Sequence, residues 1–410
     1  MQGGKTMSGR RGLILGIAGL LFLTGLPANV AADTAEVLPQ GVSRTELSGT
    51  FYAPITERFD PDGNRESVDA NYNTTLGANI FPDFIPPGEN IGRTVVDFEY
   101  KFTDLVFKFQ HGLSDRLTVG VEIPYWWSKT DLKKARVDTS AATLGINPAY
   151  GTTPGQAPFI PPSQGGVRDD DAATAFVLGA LEQVYGYVPF ESWSGNGISD
   201  IRVGARYQYF NNDLWRLAVS GGVTLPTGKV DNPDNLLDQG FGRGAWGTFF
   251  HLNNDFTGVK NLVVNATLKY ELVLPDTQTL RILSDPNRPI VPAENKENVD
   301  RNLGDVLEVS LSGTYDLTES LGVGISYEYG KKLKDDISGS LFDSYAAMED
   351  ETNWTYHLAT LGVSYSTLPR FKAKKFPVPL TVAIDYENYF AGSNNFLEQT
   401  AVAVTLSVYF

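Results

Sequence analysis

The chain has 410 residues, contains no cysteine and carries a formal net charge of −15 at pH 7. The lack of cysteine excludes disulfide frameworks and cysteine-based metal sites or nucleophiles. The acidic balance argues against nucleic acid as a partner, because a phosphate-binding surface needs a basic patch. Aromatic residues make up 12% of the chain and glycine occurs 41 times, a composition typical of a sheet-rich protein with tight turns.

The first 32 residues have the pattern of a secretory signal peptide. Arg10 and Arg11 precede an apolar run over residues 12–25, Pro27 ends that run, and small residues lead to Ala32. A basic start, a short apolar core and small residues at the exit are the three parts of such a signal. A membrane anchor is the alternative, but the run is shorter than the roughly 20 apolar residues of a spanning helix. We therefore predict cleavage after Ala32.

The rest of the chain alternates apolar residues with polar or small ones. From Ile201 to Tyr209, for example, every second residue is apolar or aromatic, and Arg202 and Arg206 lie between them. Because successive side chains of a strand point to opposite faces, this pattern predicts strands with one apolar and one polar face. It recurs in about twelve segments. Their bounds are 42–53, 95–111, 116–127, 198–211, 214–226, 243–254, 259–274, 304–316, 320–332, 353–367, 377–391 and 396–410.

The lengths of the strands and of their connections favour a membrane-spanning barrel. Soluble strands average about five or six residues, whereas a tilted membrane strand needs about 9–11, as many of these segments offer. Long and short connections alternate, as in outer-membrane barrels with short periplasmic turns. We predict an all-β fold: a transmembrane antiparallel up-and-down barrel over residues 33–410, with about twelve strands and a range of roughly 10–14. A soluble periplasmic β protein is the alternative.

The barrel prediction implies what each face of the sheet contacts. Backbone N–H and C=O groups must all be paired in hydrocarbon, so the sheet must close. The apolar face would then contact the lipid bilayer and lipopolysaccharide of a Gram-negative outer membrane, with both chain ends in the periplasm because the strand number is even. The polar face would surround the lumen. Its charged candidates are Glu122, Arg202, Arg206, Lys269, Glu271, Glu308, Glu328, Asp385 and Glu387.

The last predicted strand ends at the final aromatic residue of the chain. Apolar residues alternate through Leu406 and Val408 to Phe410. A terminal amphipathic strand that ends in phenylalanine is similar to the signal read by the outer-membrane assembly machinery, which we therefore expect as a partner. An ordinary edge strand is the alternative reading.

The longest connection, residues 128–197, is a candidate plug of the barrel mouth. Residues 172–185 predict a short apolar helix between stretches rich in glycine and proline, and loops of this length are usually functional when they have no structure of their own. Asp169, Asp170 and Asp171 precede the helix. Three carboxylates could hold Ca²⁺, but the spacing of an EF-hand is absent, which favours a solvated surface patch.

No constellation of residues indicates catalysis or a bound cofactor. The histidines His111, His251 and His357 lie in three different predicted strands. A catalytic triad is defined by geometry, which their separation in sequence does not supply. We expect these histidines to have structural or lumen-lining roles, and we expect no enzymatic activity.

Two motifs resemble one known family of barrels. They are Gly195–Tyr207 (GNGISDIRVGARY) and Gly221–Lys229 (GGVTLPTGK), and the segments Leu38–Gly41 and Leu113–Pro124 are also similar to elements of that family. It is the family of outer-membrane transporters associated with the meta-cleavage pathway of phenol degradation. The resemblance covers about Leu38 to Leu274. From the residues alone, Pro226 and Gly228 need only a structural role at a strand end.

Together these features predict an outer-membrane channel or transporter that passes small solutes, aromatic or hydrophobic ones among them, by passive diffusion. About twelve strands leave a narrow lumen, whereas wide porin channels need 16–18. The alternative is a non-conducting structural barrel whose outer loops bind a partner.

Overall fold

The predicted alternation folds into twelve barrel strands in the computed structural model, which describes residues 33–285 and 288–410; the predicted signal peptide lies outside this range. The strands are β1 Ser43–Tyr52, β2 Asn90–Ser114, β3 Leu117–Asp138, β4 in two segments Trp193–Ile198 and Ile201–Asn211, β5 Trp215–Leu225, β6 Gly247–Val259, β7 Leu262–Val273, β8 Val306–Asp316, β9 Leu321–Lys332, β10 Trp354–Ser366, β11 Leu380–Ser393 and β12 Thr400–Tyr409. Each pairs antiparallel with its neighbour in sequence, and β12 pairs with β1. The barrel is therefore closed, and the predicted fold and strand number are confirmed.

The outer surface of the barrel is apolar and the inner surface is polar. On β1, Phe51 is 57% exposed while its neighbour Thr50 is fully buried. On β9, Ile325 is 59% exposed and Ser326 only 7%. This arrangement is the reverse of that in a water-soluble barrel, where the apolar faces meet inside. Exposed apolar side chains and a closed hydrogen-bonded sheet are what a bilayer requires, so the barrel spans a membrane.

The two ends of the barrel differ in the length of their connections. At one end, here called the short-turn end, the links are 115–116, 212–214, 260–261, 317–320 and 367–379. At the other, the long-loop end, they are 53–89, 139–192, 226–246, 274–305, 333–353 and the shorter 394–399. Long and short links alternate as the sequence predicts. Within residues 33–285 and 288–410, no helix has the length and apolar character needed to cross a bilayer.

Strands β2 and β3 run far beyond their predicted bounds. They contain 25 and 22 residues, and their pairing extends from Ser114 and Leu117 to Arg93 and Asp138. Residues 128–138, predicted as loop, therefore continue β3. The alternation of apolar and polar residues can be recognised only where one face of the strand is apolar. The outer face of this extension is rich in lysine, so the pattern is lost in the sequence.

The long loops carry their own small elements. The helices are α1 Asp170–Gln183, α2 Ala346–Glu349 and, in the last short-turn link, α3 Leu368–Lys372; 3₁₀ turns cover Ala70–Tyr72, Pro162–Gln164 and Ala293–Asn295. Loop strands cover Glu57–Phe59, Arg65–Ser67, Thr75–Gly77, Gly145–Ile146, Phe159–Ile160, Asp276–Arg281, Lys296–Asn302 and Asp336–Ser338. The predicted apolar helix is thus confirmed as α1.

Candidate functional site: the barrel interior and its mouth

Charged side chains on the inner face join the strands through ion-pair networks, three of which contain predicted lumen residues and pair barrel side chains with one another. The first lies on β1, β2 and β3 in the half nearer the short turns. The Nζ atom of Lys108 is 3.6 Å from Glu46 and 3.4 Å from Glu122, and Arg44 lies 3.8 Å from Glu46. These opposite charges offset part of one another's desolvation cost, which is the usual condition for burying them.

The second network crosses the interior between β4 and β7. Arg202 lies 2.5 Å from Glu271, and Arg243 approaches the other oxygen of the same carboxylate at 3.2 Å. Thr224 donates its hydroxyl to Glu271 at 3.1 Å, and the Arg202 guanidinium lies 5.5 Å from the centroid of the Phe249 ring. Arg243 was not among the predicted lumen residues: it stood at the start of the predicted strand 243–254, whereas the observed β6 begins at Gly247 and Arg243 lies in the loop 226–246.

The third network joins β7, β8, β9 and β10. Lys269 lies 2.8 Å from Glu328 and 3.5 Å from Glu308, and the hydroxyl of Tyr356 donates to the same two carboxylates at 2.6 and 2.8 Å. Tyr356 is fully buried and lies over Gly330, its cross-strand partner. A Cβ at Gly330 would come within 1.9 Å of that ring, so only glycine permits this packing.

The remaining predicted acids lie two residues apart on the inner face of β11. Asp385 and Glu387 are each 1% exposed, and their cross-strand partners on β10 are Gly362 and Thr360. Ala403 on β12 is fully buried as well. At this height the side chains of the inner face are closely packed. That these predicted residues line a solute path remains a prediction.

Arg206 contacts a part of the chain that the strand pattern does not place inside the barrel. The segment of residues 33–41, here called the N-terminal segment, enters the barrel from the short-turn end. Arg206 and His251 both contact the carboxylate of Asp33, with His251 Nδ1 2.6 Å from its Oδ2. Ala35 is fully buried; its N–H donates to Asp255 at 3.0 Å and its C=O accepts from Gln208 at 2.8 Å. The segment therefore occupies part of the lumen.

An aromatic cluster lies on the inner face at the long-loop end. The contributing barrel residues are Phe98, Tyr100 and Phe102 on β2 and Trp126 on β3, with Tyr52 of β1 packed beside them. The rings of Phe102 and Trp126 meet edge to face with centroids 5.0 Å apart. Trp126 thus points inward, whereas Tyr125 and Trp127 on either side face outward.

The loop 226–246 folds over this aromatic cluster. Leu237 and Phe241 of the loop are 2% and 3% exposed and pack against it. The side-chain amide of Gln239, 2% exposed, accepts a hydrogen bond from the Ser128 hydroxyl and donates one to the Thr130 hydroxyl at 2.9 Å; both hydroxyls lie on the inner face of β3. This loop, shorter than 128–197, therefore bonds to the inner wall of the barrel mouth.

The two family-like motifs meet at the base of that loop. Asp200, in the break between the two segments of β4, accepts the N–H of Gly228 at 2.9 Å and that of Arg243 at 2.8 Å. Gly228 packs against Gly242, where a Cβ would come within 2.6 Å of backbone atoms. One carboxylate thus closes the loop at both of its ends. This relation explains why a turn-forming glycine and a buried acid occur at these positions.

The triple aspartate has a helix-capping geometry. Asp169 accepts the N–H of Ala172 at 3.0 Å as the N-cap of α1. Asp170 accepts the N–H of Thr139 at 2.9 Å and lies 2.9 Å from Arg136; these contacts, the backbone bond foremost, hold the pKa of Asp170 below its usual value. Among the described residues, no group of three acids, histidines or cysteines is arranged to hold a metal ion.

Helix α1 packs over the extension of β2 and β3. Its residues Val177 and Leu181 join a core cluster with Phe81 of the loop 53–89 and Val137 of β3. That residues 128–197 plug the barrel remains a prediction. In the structure this loop covers residues 139–192.

The histidines occupy three different environments. His111 Nδ1 lies 2.9 Å from the Ser43 hydroxyl, and His251 contacts Asp33 inside the barrel. His357 lies on the outer face, 2.7 Å from the Tyr327 hydroxyl and packed among aromatic rings. The three do not come together.

The chain end completes the barrel wall. Phe410 is 67% exposed; its N–H donates to the C=O of Ser43 at 3.0 Å and its C=O accepts from the N–H of Ser43 at 2.7 Å. Leu406 also faces outward, at 40% exposure. The signal role of Leu406, Val408 and Phe410 remains a prediction.

Comparison with known proteins gives one family and a shared fold. Residues 86–397 match the family described as "Putative MetA-pathway of phenol degradation". Among solved structures, the chain is similar to an outer membrane channel from Pseudomonas putida F1, with 11% identity, a TM-score of 0.54 and coverage of 92% of this chain and 98% of that one. Its likeness to the toluene transporter of Ralstonia pickettii is weaker, with 9% identity, a TM-score of 0.35 and coverage of 91% and 90%. No curated protein sequence matches the chain significantly.

Proposed function

We propose that this chain, which belongs to the MetA-pathway family of phenol degradation, is a channel that passes small aromatic or hydrophobic solutes across the outer membrane by passive diffusion. The family match confirms the resemblance drawn from the motifs. Two comparisons support the proposal: the family description concerns an aromatic compound, and the Pseudomonas putida F1 protein of similar fold is described as an outer membrane channel. No chemical conversion of the solute is proposed.

The observation that carries the proposal is the aromatic cluster at the barrel mouth. Phe98, Phe102 and Trp126 lie on the inner face beneath the loop 226–246, and movement of this loop would expose their apolar surface toward the axis, where a barrel open only to water and ions would carry polar groups. Burial of apolar solute surface is favourable by about 25 cal/mol per Å², which draws such solutes out of water. The closely filled polar interior below would limit passage to small molecules.

Entry of a neutral aromatic alcohol into vesicles tests this function. Vesicles with lipopolysaccharide in the outer leaflet would contain the inserted mature protein and trapped alcohol dehydrogenase with NAD⁺. Benzyl alcohol entry then appears as NADH absorbance. We expect a several-fold faster initial rate than in protein-free vesicles, and no effect on entry of sucrose. Equal rates with correctly inserted protein would reject the channel and favour the non-conducting barrel.

We also propose that the short-turn end faces the periplasm, with both chain ends on that side. Short periplasmic turns and long outer loops are the rule in outer-membrane barrels. Ser43 and Phe410 lie together at the short-turn end, as an even number of strands requires. Protease added to intact cells should then cut within the long loops and leave the short turns intact; cuts confined to the short turns would reverse the orientation.

Contact with lipopolysaccharide is proposed at the outer face of the β2–β3 extension. Lys101, Lys129 and Lys133 surround Asp131 directly beyond the outward-facing Trp127, and each lysine side chain keeps 41–44% of its surface exposed. Lysines at this level can reach the phosphate groups of the lipid. Glu99 and Asp131 keep the three ammonium groups together before the lipid binds. Recognition of the chain end by the assembly machinery is likewise proposed, from the outward-facing Leu406, Val408 and Phe410.

A further inference from the structure

The side chain of Asp33 is bound inside the barrel like a ligand. Its carboxylate lies between the Arg206 guanidinium and His251 Nδ1, the latter at 2.6 Å. Its backbone C=O accepts from the Asn253 amide and from the Thr267 hydroxyl, the latter at 3.1 Å. Four donor groups from β4, β6 and β7 thus converge on the carboxylate and the backbone C=O of Asp33.

These donors are part of the barrel wall, and two of them, Arg206 and Asn253, are also held by contacts that do not involve the segment. Arg206 is oriented by a hydrogen bond from its Nε to the Ser220 hydroxyl at 2.9 Å, and Ser220 in turn donates to Asn253 at 3.1 Å. Asn253 is fully buried and Ser220 is 7% exposed. A site whose donors are fixed by second contacts is preorganised for its anion.

The positive charge of the Arg206 guanidinium requires an anion beside it. Among the described residues, Asp33 is the only carboxylate within ion-pair distance of Arg206. A buried cation that loses its partner is strongly destabilising, so withdrawal of Asp33 would favour any replacement carboxylate small enough to enter. An aromatic wall lies next to the site: the Phe249 ring is 5.3 Å from the His251 ring.

The rest of the N-terminal segment is bonded to the wall and to the neighbouring strand end, since Arg206 also donates to the C=O of Glu36 at 3.4 Å and the N–H of Gly41 donates to the C=O of Gly112 at 2.8 Å. Beyond Ala35, the N–H of Leu38 donates to the Thr118 hydroxyl at 2.8 Å and the N–H of Gln40 to Asp115 at 3.0 Å. With the predicted cleavage after Ala32, Asp33 is the first residue of the mature chain. The occupant of the site is then a free chain end, which can leave without moving any barrel strand.

We propose that Arg206, His251, Asn253 and Thr267 form a binding site for aromatic carboxylates in the lumen, and that Asp33 occupies this site as an internal competitor. The N-terminal segment thereby closes the short-turn half of the lumen until a carboxylate displaces it. This inference rests on the proposed channel function and adds a solute class to it.

Equilibrium binding of benzoate to the detergent-solubilised mature protein, measured by titration calorimetry, tests the site. Asp33→Ala removes the competitor, and we expect benzoate to bind it at least about tenfold more tightly than the wild type, because a charge-assisted hydrogen-bond partner is freed. Asp33→Asn, which keeps the shape and drops the charge, should fall between the two. Adding Arg206→Gln to Asp33→Ala should abolish the gain, and benzamide, the neutral analogue, should bind all variants weakly.

Glu36→Gln is the matched control, since Glu36 lies in the same segment but contacts Arg216 and leaves its side chain 70% exposed. It should bind benzoate as the wild type does. Equal benzoate affinity of Asp33→Ala and wild type, or a gain that survives Arg206→Gln, would overturn the inference. Benzyl alcohol entry is measured in parallel. Entry without benzoate binding rejects only the carboxylate site, whereas binding without entry rejects only the channel.

Discussion

Asp200 accepts the backbone N–H of Gly228 at 2.9 Å, and this bond joins the two motifs by which the family is recognised. The same carboxylate accepts the N–H of Arg243 at 2.8 Å, so both ends of the loop that covers the barrel mouth depend on one side chain. Asp200 is 2% exposed and lies where β4 is interrupted. Because β4 is interrupted here, this carboxylate points toward the loop 226–246 instead of toward a neighbouring strand.

Replacing Asp200 by alanine should loosen the loop 226–246 and raise conductance. Each lost hydrogen bond to a charged group is worth about 1.5–3 kcal/mol, so the open loop should become roughly tenfold more populated or more. Single-channel recording in planar bilayers measures the change. Asp238→Asn is the control, because Asp238 bonds to Asn232 within the same loop. Conductance equal in the two variants would show that this loop does not limit passage.

Deleting residues 140–190 tests the longest loop as a plug. The deletion removes α1, which packs on the β2–β3 extension with Val137 and Phe81. If the loop obstructs the mouth, non-selective conductance should rise. We expect a smaller rise than for Asp200→Ala, because it is the loop 226–246 that bonds to Ser128 and Thr130 of the inner wall. Unchanged conductance in the same bilayers would remove the plug role from this loop.

Glu271→Gln should destabilise the barrel strongly. Glu271 is the carboxylate to which both Arg202 and Arg243 are paired, and its loss leaves buried cations without that partner. Breaking a buried pair in this way costs about 3–5 kcal/mol. Urea unfolding of the detergent-solubilised protein, followed by heat-modifiable migration on gels, gives the difference. Glu319→Gln in the exposed link 317–320 should have almost no effect, and a similar loss in both variants would contradict the proposed role of the network.

Gly330→Ala should displace Tyr356 and weaken the third ion-pair network. The added Cβ would overlap the tyrosine ring, and overpacking of this kind costs roughly 1–3 kcal/mol. Gly313→Ala is the matched control on β8, because a Cβ at Gly313 meets nothing within 4 Å. The midpoint of thermal unfolding should fall only for Gly330→Ala. An equal shift for both glycines would point to a general loss of strand flexibility.

Docking of the loop 333–353 on the loop 274–305 should weaken in acid. The Tyr345 hydroxyl, with the hydroxyl and N–H of Ser340 and the N–H of Leu341, lowers the pKa of Glu297 from 4.5 to about 2. Because the folded pKa lies below the unfolded one, this stabilisation is complete above about pH 4.5 and is lost as the pH falls toward 2.

Hydrogen exchange of the Ser340 and Leu341 amides measures this effect. Their protection should decrease between pH 4.5 and 2 in the wild type, after correction for the intrinsic rate. In Tyr345→Phe, which lacks the main donor, the decrease should begin at higher pH. Protection that does not change over this range would show that the two loops are held by the apolar cluster around Ile282 and Met348 instead.

Strand number, closure and the inward or outward direction of most side chains follow from the sequence. Alternation has a period of two and needs no tertiary information, so Arg202 and Glu271 could be assigned to the inner face in advance. The extension of β2 and β3 could not, because its outer face carries Lys129, Asp131 and Lys133 and loses the apolar alternation. Trp126 has the parity of Glu122, so alternation assigns it to the inner face, but only the tertiary structure brings its ring against Phe102 of β2.

The sequence by itself determined the barrel, because lipid outside and hydrogen-bonded backbone within leave one solution for a chain that alternates in this way. The tertiary structure alone decided which groups fill the lumen. Asp33 and Gln239 lie in segments without periodic pattern, Arg243 lies before the observed start of β6, and their partners Arg206, Ser128 and Glu271 are far away in sequence. Irregular segments have no face that composition can assign, so their position depends on the hydrogen bonds and charges that the closed barrel presents to them.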